Sequence, residues 1–230
     1  MKLSANFLCM KTALIIGASG GIGRALNDHL TTDGVKVTRL ARSTDGFDLT
    51  DPDGAERMLA SLSDPFDLIL VASGALEING MGPEKSMRTL SAKAMMDQFA
   101  LNAVGPALVL KHMHRLLPRD RRSVIAVLSA RVGSIGDNRL GGWVSYRAAK
   151  AAVNQIVHTA AIELARTHKQ AICVALHPGT VKTAFTEKYL ARHPAVEPNE
   201  AAANLLSVIN GLTPADSGSF YDWAGKRVPW

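Results

Sequence analysis

The sequence predicts an α/β fold: a single-domain, three-layer αβα sandwich with a parallel sheet between two layers of helix. Two observations carry this. Short runs rich in Val, Ile and Leu recur along the chain, and strands buried on both faces read in this way because neither face needs polar residues. Between them lie longer stretches with apolar residues at helical spacing, and such alternation marks crossover units. The 230 residues suit one domain. A hydrophobic content of 47% with 20% charged residues is that of an ordinary globular chain, one able to bury about 70% of its unfolded surface without staples.

Taken in order, the first strand is Thr12–Ile16 and the first helix Ile22–Thr32. Val35–Leu40 follows as a strand, then a weaker strand-like piece at Gly46–Leu49 and a helix over Pro52–Ser63. Asp67–Ala72 is the third main strand, and Ala92–Leu117 reads as one long helix before the strand Val124–Leu128. Tyr146–Thr167 is helical, with Ala149, Val153, Ile156, Val157, Ala160 and Leu164 on one face. Ile172–Leu176, the helix Glu200–Asn210 and a last strand at Gly218–Tyr221 complete the series. Loops at Gly80–Pro83, Gly133–Gly142 and Pro178–Pro198 contain Gly or Pro, and the last two are long enough to be functional. No repeat and no Ser/Gly-rich linker divides residues 11–230, while residues 1–10 read as an N-terminal extension, too short and polar for a signal peptide.

Composition excludes several classes. Cys9 and Cys173 stand alone, without the spacing of a disulfide framework or zinc module. His112 and His114 fall on differing helix faces, and His177 is a lone strand-end histidine, so no metal is expected. The net charge of +6 would attract polyanions, but the basic residues are scattered. The densest cluster, Arg115, Arg119, Arg121 and Arg122, straddles Pro118 and reads as a solvated helix end, so no nucleic-acid partner is expected. No apolar run approaches the roughly 20 residues of a membrane span. A cytoplasmic protein without a membrane partner is the expectation.

Gly17-Ala18-Ser19-Gly20-Gly21-Ile22-Gly23 stands between the first strand and the first helix. Glycines let the backbone turn sharply and approach a pyrophosphate, while free N–H groups and the positive end of the helix attract its charge. Such a string also marks plain turns; strand before and helix after make it a dinucleotide site in a Rossmann-type fold. The second strand ends in Arg39-Leu40-Ala41-Arg42-Ser43, where an NAD-preferring fold places an acid for the ribose 2′-hydroxyl. Here Arg42 with Ser43 suits a 2′-phosphate, through paired guanidinium hydrogen bonds. NADP (NADPH) is therefore expected over NAD, the alternative being a solvated arginine at a strand end. Asp48, beside Leu49, is placed to accept from the adenine amino group or to serve as a turn residue or cap.

Tyr146-Arg147-Ala148-Ala149-Lys150 opens the fourth helix, and its i,i+4 spacing puts a phenol and an ammonium on one face. A phenol, with a pKa of about 10, protonates a carbonyl oxygen during hydride transfer when a cation stabilises the phenolate left behind. Lys150 is the candidate cation, although Tyr-x-x-x-Lys taken alone is also common on helix surfaces; the upstream glycine turn gives the pair its meaning.

With these motifs in place the chain resembles the short-chain dehydrogenase/reductase family over residues 11–230. Gly17-x-x-x-Gly21-x-Gly23, Asn102 in Leu101-Asn102-Ala103-Val104-Gly105-Pro106, a serine segment after a strand, Tyr146-x-x-x-Lys150 and Pro178-Gly179-Thr180-Val181-Lys182-Thr183 match in order. Ser129-Ala130-Arg131-Val132-Gly133-Ser134-Ile135-Gly136-Asp137-Asn138 and the ending Gly225-Lys226-Arg227-Val228-Pro229-Trp230 are similar to the sniffer and C-factor-like carbonyl reductase branch. The resemblance implies Tyr146 as general acid, Lys150 as its electrostatic partner and Asn102 as holder of a water in the proton relay. It also implies that Ala72, Ser73, Gly74, Pro178, Gly179, Val181 and Thr183 line the cofactor with Gly17, Ser19, Gly20, Gly21, Ile22, Gly23, Asn102, Tyr146 and Lys150. Taken alone, Pro178-Gly179 and Thr183 also suit a turn and a helix cap.

Two departures stand out. The family relies on the second of two adjacent serines to orient the carbonyl, whereas this chain has Ser129-Ala130, leaving Ser129 first and Ser134 second as substitutes. The usual Asn-Asn-Ala-Gly is Val71-Ala72-Ser73-Gly74, which keeps only the glycine. The expected function is an NADPH-dependent oxidoreductase reducing a ketone, aldehyde or quinone of a small molecule, working as a homodimer or homotetramer. The alternative is a non-catalytic NADP-binding sensor or C-factor-like signalling protein. Thr183–Pro198, with Phe185, Tyr189, His193 and Pro194, is expected to cover the substrate pocket.

Overall fold

Alternate residues of each apolar run face opposite sides of one sheet, and each side has its own helices. The structure, a computed structural model, describes residues 10–184, 186 and 195–230. Six strands, β1 (Thr12–Ile16), β2 (Lys36–Leu40), β3 (Leu68–Val71), β4 (Ser123–Leu128), β5 (Ala171–His177) and β6 (Phe220–Asp222), form a parallel sheet in the order β2-β1-β3-β4-β5-β6. Leu14, Ile16, Ile69, Val71, Ile125, Val127, Cys173 and Ala175 pack on one side against α3 (Pro52–Ser61), α5 (Gly105–Lys111), α6 (Met113–Leu116) and α7 (Val144–Leu164). Ala13, Ile15, Leu68, Leu70, Val124, Ala126, Ile172 and Val174 pack on the other, against α1 (Gly21–Thr32) and α8 (Pro198–Gly211). This is the three-layer Rossmann-type arrangement that the pattern predicts.

Register positions the site. Leu40, Ile16, Val71, Val127, Ala175 and Phe220 form one row across the sheet. The segments that leave the strands just beyond this row therefore emerge side by side, among them the glycine turn, Ala72–Gly74 and Ser129. Strand order reverses at β1, whose neighbours are β2 and β3. Such a switch point opens a crevice where ligands bind in folds of this kind.

Two elements differ from the sequence reading. Gly46–Leu49 is not a strand. Arg42–Asp45 forms a short helix, α2, which Gly46 closes in the left-handed region at φ 67°, as glycine commonly does at a helix end. Phe47 and Leu49 are buried and Asp48 is half-buried between them, so the alternation that resembles a strand comes from an irregular segment. Ala92–Leu117 is not one helix either. α4 (Ala92–Phe99) passes into a π turn at Ala100–Val104 before α5, and α6 follows a further break at His112. Pro106 has no N–H to offer the carbonyl of Asn102, four residues back, so an α-helical ladder cannot run through this point.

Three of the four clustered arginines, Arg115, Arg121 and Arg122, brace the fold. Arg115 donates to the carbonyls of Leu59 and Leu62 at the end of α3, Arg121 to Asp67 at 2.8 Å, and Arg122 to the carbonyls of Ile209 and Leu212 at the end of α8. Cations are favourable at helix C-termini, where carbonyls lack partners. Among the described residues no helix is long and apolar enough to cross a membrane.

Candidate active site

The glycine turn is shaped by contacts that side chains would obstruct. Gly17 has φ +86°, and a Cβ there would lie 2.8 Å from the backbone of Ala72 and Ser73. A Cβ on Gly23 would lie 2.2 Å from the carbonyl oxygen of Gly17, and one on Gly21 2.6 Å from the Thr183 methyl. These approaches join the turn to the segments following β3 and β5. Gly20 is the N-cap of α1, with no side-chain cap and no acidic residue in the first turn. The leading N–H groups of α1 thus have no side-chain acceptor at the crevice, as a phosphate-binding helix start requires. Ser19 and Ile22 beside them are half-buried.

Arg42 and Ser43 lie exposed at the start of α2 rather than in the strand. The Asp48 carboxylate accepts from the Thr50 hydroxyl at 2.7 Å and the Thr50 N–H at 2.8 Å. These bonds, with a smaller contribution from Arg42, hold it below the usual carboxylate range. Asp48 is therefore an ionised turn residue near Arg42. Leu49 packs under the π turn, where a Cβ on Gly105 would meet its side chain at 2.8 Å.

Tyr146 and Lys150 lie on the buried face of α7, 5% and 3% exposed. The Lys150 Nζ sits 5.7 Å from the centre of the Tyr146 ring and donates to the Leu128 carbonyl at 3.0 Å. Burial raises the Tyr146 pKa above its ordinary value, so the phenol carries its proton at neutral pH. Burial lowers Lys150 to about 8, because an ammonium loses hydration there. Trp143, the N-cap of α7, is left-handed at φ 53° and packs edge-on to Tyr146 with ring centres 6.4 Å apart.

Asn102, fully buried in the π turn, donates to the Ala75 carbonyl at 2.9 Å and to Gln98 at 2.7 Å, and accepts from the Ala75 N–H at 3.3 Å. Its side chain is committed to the segment after β3. Gly74 brings the parts together. A Cβ at Gly74, φ +158°, would lie 2.8 Å from Asn102 Oδ1 and 3.6 Å from Lys150 Nζ, so only glycine passes between them.

Both candidate serines are buried and hydrogen-bonded. Ser129 donates its proton to Asn154 at 2.6 Å, and Asn154 donates to the Gly133 carbonyl at 3.4 Å. Ser134 accepts from the Asp137 N–H at 3.1 Å. Ala130, half-buried, follows Ser129 at the end of β4. Gly179 (φ +80°) packs beside the Trp223 indole, where a Cβ would meet it at 3.0 Å, and Val181 bridges Val196. Pro178 and Thr183 are half-buried and Val181 buried on the same segment. Phe185, Tyr189, His193, Pro194 and residues 1–9 of the extension lie outside the described residues.

Sequence reasoning missed Gln98, Asn154, Trp143 and Trp223. Two had a signal: Asn154 continues the i,i+4 series from Tyr146 and Lys150, and Gln98 precedes Asn102 by one turn. Of the histidines, His112 is 3.2 Å from Glu56, and His114 and His168 have ring centres 5.5 Å apart. Among the described residues no three His, Cys, Asp or Glu side chains converge to hold a metal.

The short chain dehydrogenase family model matches residues 46–193, which include the π turn, the Tyr146–Lys150 pair and the Pro178 segment. A 1-hydroxy-2-glutathionyl-2-methyl-3-butene dehydrogenase of Rhodococcus sp. (strain AD45) is 28% identical over 96% of this chain and 100% of its own length, the glycine turn included. The C-signal protein of Myxococcus xanthus is 35% identical over 59% of this chain and 78% of its own. A short-chain dehydrogenase/reductase of Burkholderia multivorans, solved with bound NADP, superposes with a TM-score of 0.77 at 25% identity, covering 96% of this chain and all of that one. The chain belongs to the short chain dehydrogenase family and is an oxidoreductase of that type.

Proposed function

We propose that residues 11–230 form an NADPH-dependent reductase of small-molecule carbonyls, with Tyr146 as proton donor. One observation carries this reading: a buried phenol and a buried ammonium 5.7 Å apart, placed with Asn102 and Gly74 at the crevice that the glycine turn opens. The uncapped start of α1 would hold the pyrophosphate, Arg42 and Ser43 the 2′-phosphate, Asp48 and Leu49 the adenine end, and Ala72–Gly74, Pro178, Gly179, Val181 and Thr183 the nicotinamide end. The nicotinamide supplies the hydride when bound. Tyr146 gives its proton to the carbonyl oxygen, Lys150 stabilises the phenolate that remains, and the Asn102 carbonyl holds a water that returns the proton from solvent.

Ser129 has one proton and donates it to Asn154, so we assign it to orienting α7 and the 131–143 loop rather than to the substrate oxygen. Tyr146 then acts without a serine to orient the carbonyl. Ala130→Ser is expected to raise kcat about 10-fold, since one well-placed donor to developing negative charge is worth about 10²–10³ in rate. Steady-state kinetics check this, and an unchanged kcat argues against an unfilled donor position.

Arg42→Ala is expected to weaken NADPH about 10- to 100-fold, the loss of charge-assisted bonds worth about 1.5–3 kcal/mol. NADH affinity should stay level in the same titration; equal losses for both would remove Arg42 from the 2′-phosphate site. The function itself is tested by NADPH consumption against a panel of ketones, aldehydes and quinones. Turnover supports the reductase, and tight binding with none across the panel favours the sensor.

A further inference from the structure

The first turn of α7, which carries Tyr146, is not capped by its own sequence: Trp143 at the N-cap offers no side-chain acceptor. The acceptor comes from 61 residues earlier in the chain. One carboxylate oxygen of Glu84 accepts from the Ser145 N–H at 3.2 Å, the other accepts from the Ser145 hydroxyl, and the Glu84 backbone carbonyl accepts from the Trp143 N–H at 2.6 Å. Both side chains are buried, Glu84 at 7% and Ser145 at 1% exposure. A negative charge is favoured at a helix N-terminus, where it meets unpaired donors and the positive end of the dipole. Burial alone would raise the Glu84 pKa, but the bonds from Ser145 outweigh it and keep the carboxyl below its usual range.

The segment bearing Glu84 is also held at its other end. Ala75 exchanges hydrogen bonds with Asn102, and the Leu76 carbonyl accepts from Gln98 at 2.9 Å. Residues 75–84 thus bridge the π turn and the start of α7. Between the two lies a cavity of about 10 Å³ lined by Glu84, Gln98, Ser145 and Tyr146 among others, about the size of one water.

We propose that Glu84 is a positioning residue for Tyr146: reaching across from the 75–84 segment, its carboxylate closes the first turn of α7 and holds the phenol in one orientation relative to Asn102. This rests on Tyr146 as the proton donor. The cost of misplacement falls on kcat, because a shift of about 1 Å in a reacting group lowers rate by about 10²-fold while leaving binding surfaces in place.

The test is the kinetics of Glu84→Ala, Glu84→Gln and Ser145→Ala with NADPH and the best carbonyl substrate, beside NADPH affinity and Tm. Glu84→Ala is expected to lower kcat about 10- to 100-fold, with carbonyl KM and NADPH Kd within about 3-fold. Glu84→Gln, whose amide oxygen still accepts from the Ser145 N–H, should restore most of the rate. If Glu84→Ala does not fold, Ser145→Ala removes one of the two bonds and should lower kcat about 3- to 10-fold. A folded Glu84→Ala or Ser145→Ala with wild-type kcat overturns the proposal, and so does a kcat that falls only in step with NADPH affinity. If instead the Tyr146 assignment is wrong, Tyr146→Phe keeps its turnover; with Glu84 alone wrong, Tyr146→Phe is inactive and Glu84→Ala is not.

Discussion

Tyr146→Phe is expected to lose about 10²–10⁴-fold in kcat, the usual contribution of a positioned general acid, while NADPH affinity and Tm stay close to wild type. The change removes one oxygen from a side chain that is 5% exposed and leaves the ring against Trp143, so packing hardly alters. What goes is the only proton that the phenol supplies. Burial holds that proton on at neutral pH, the state a donor must be in before reduction starts. In the proposed mechanism Ser129 does not substitute, because its hydroxyl donates to Asn154. Stopped-flow NADPH oxidation, with fluorescence titration of NADPH on the same preparation, reads both quantities. A variant that binds and turns over like wild type would remove the mechanism.

Lys150→Met should have effects of opposite sign on rate and stability. For rate, loss of the cation beside the phenol leaves the developing phenolate unsupported, and kcat should fall by about 10²-fold or more. For stability, burial lowers the folded-state pKa from 10.5 to about 8. Between those values the unfolded chain binds more protons than the folded one, so the Lys150 contribution to stability rises with pH across that window. Below pH 8 the cost of the buried ammonium is fully present, about 3 kcal/mol in order of magnitude. Met fills similar space without a charge. The cofactor-free variant is therefore expected to be more stable than wild type at pH 7, and the gap to close as pH rises from about 8 to 10.5. The Cys173 thiol, pushed up to about 12 by burial, makes both proteins lose stability above its unfolded pKa of 9, and it cancels in the difference. Urea unfolding of the pair at several pH values gives the comparison; a variant less stable than wild type at pH 7 contradicts it.

Wherever local pattern decides structure, the sequence was a sufficient guide. Runs such as Leu14–Ile16 and Ile69–Val71 alternate between the two helical layers, and only a sheet covered on both faces lets so many neighbouring apolar residues be buried. Position relative to strands placed Gly17–Gly23, and i,i+4 spacing placed Tyr146 over Lys150. The failures have tertiary causes. Phe47 and Leu49 are buried by packing rather than by strand geometry, and the periodicity of residues 92–117 does not register the π turn that Pro106 demands. Hydrogen-bond partners are not legible either: the Ser129 hydroxyl donates to Asn154, 25 residues away on α7. Glu84 was equally invisible, because its acceptors serve a helix start 61 residues distant.

The most direct measurement is a crystal structure of the protein with NADPH and an unreactive carbonyl analogue. The predicted result is the Tyr146 hydroxyl within hydrogen-bond reach, about 2.6–3.2 Å, of the analogue's oxygen, with Lys150 on the far side of the phenol and no serine in contact with that oxygen. An analogue oxygen bound to some other donor, with the Tyr146 hydroxyl turned away from it, would contradict the account.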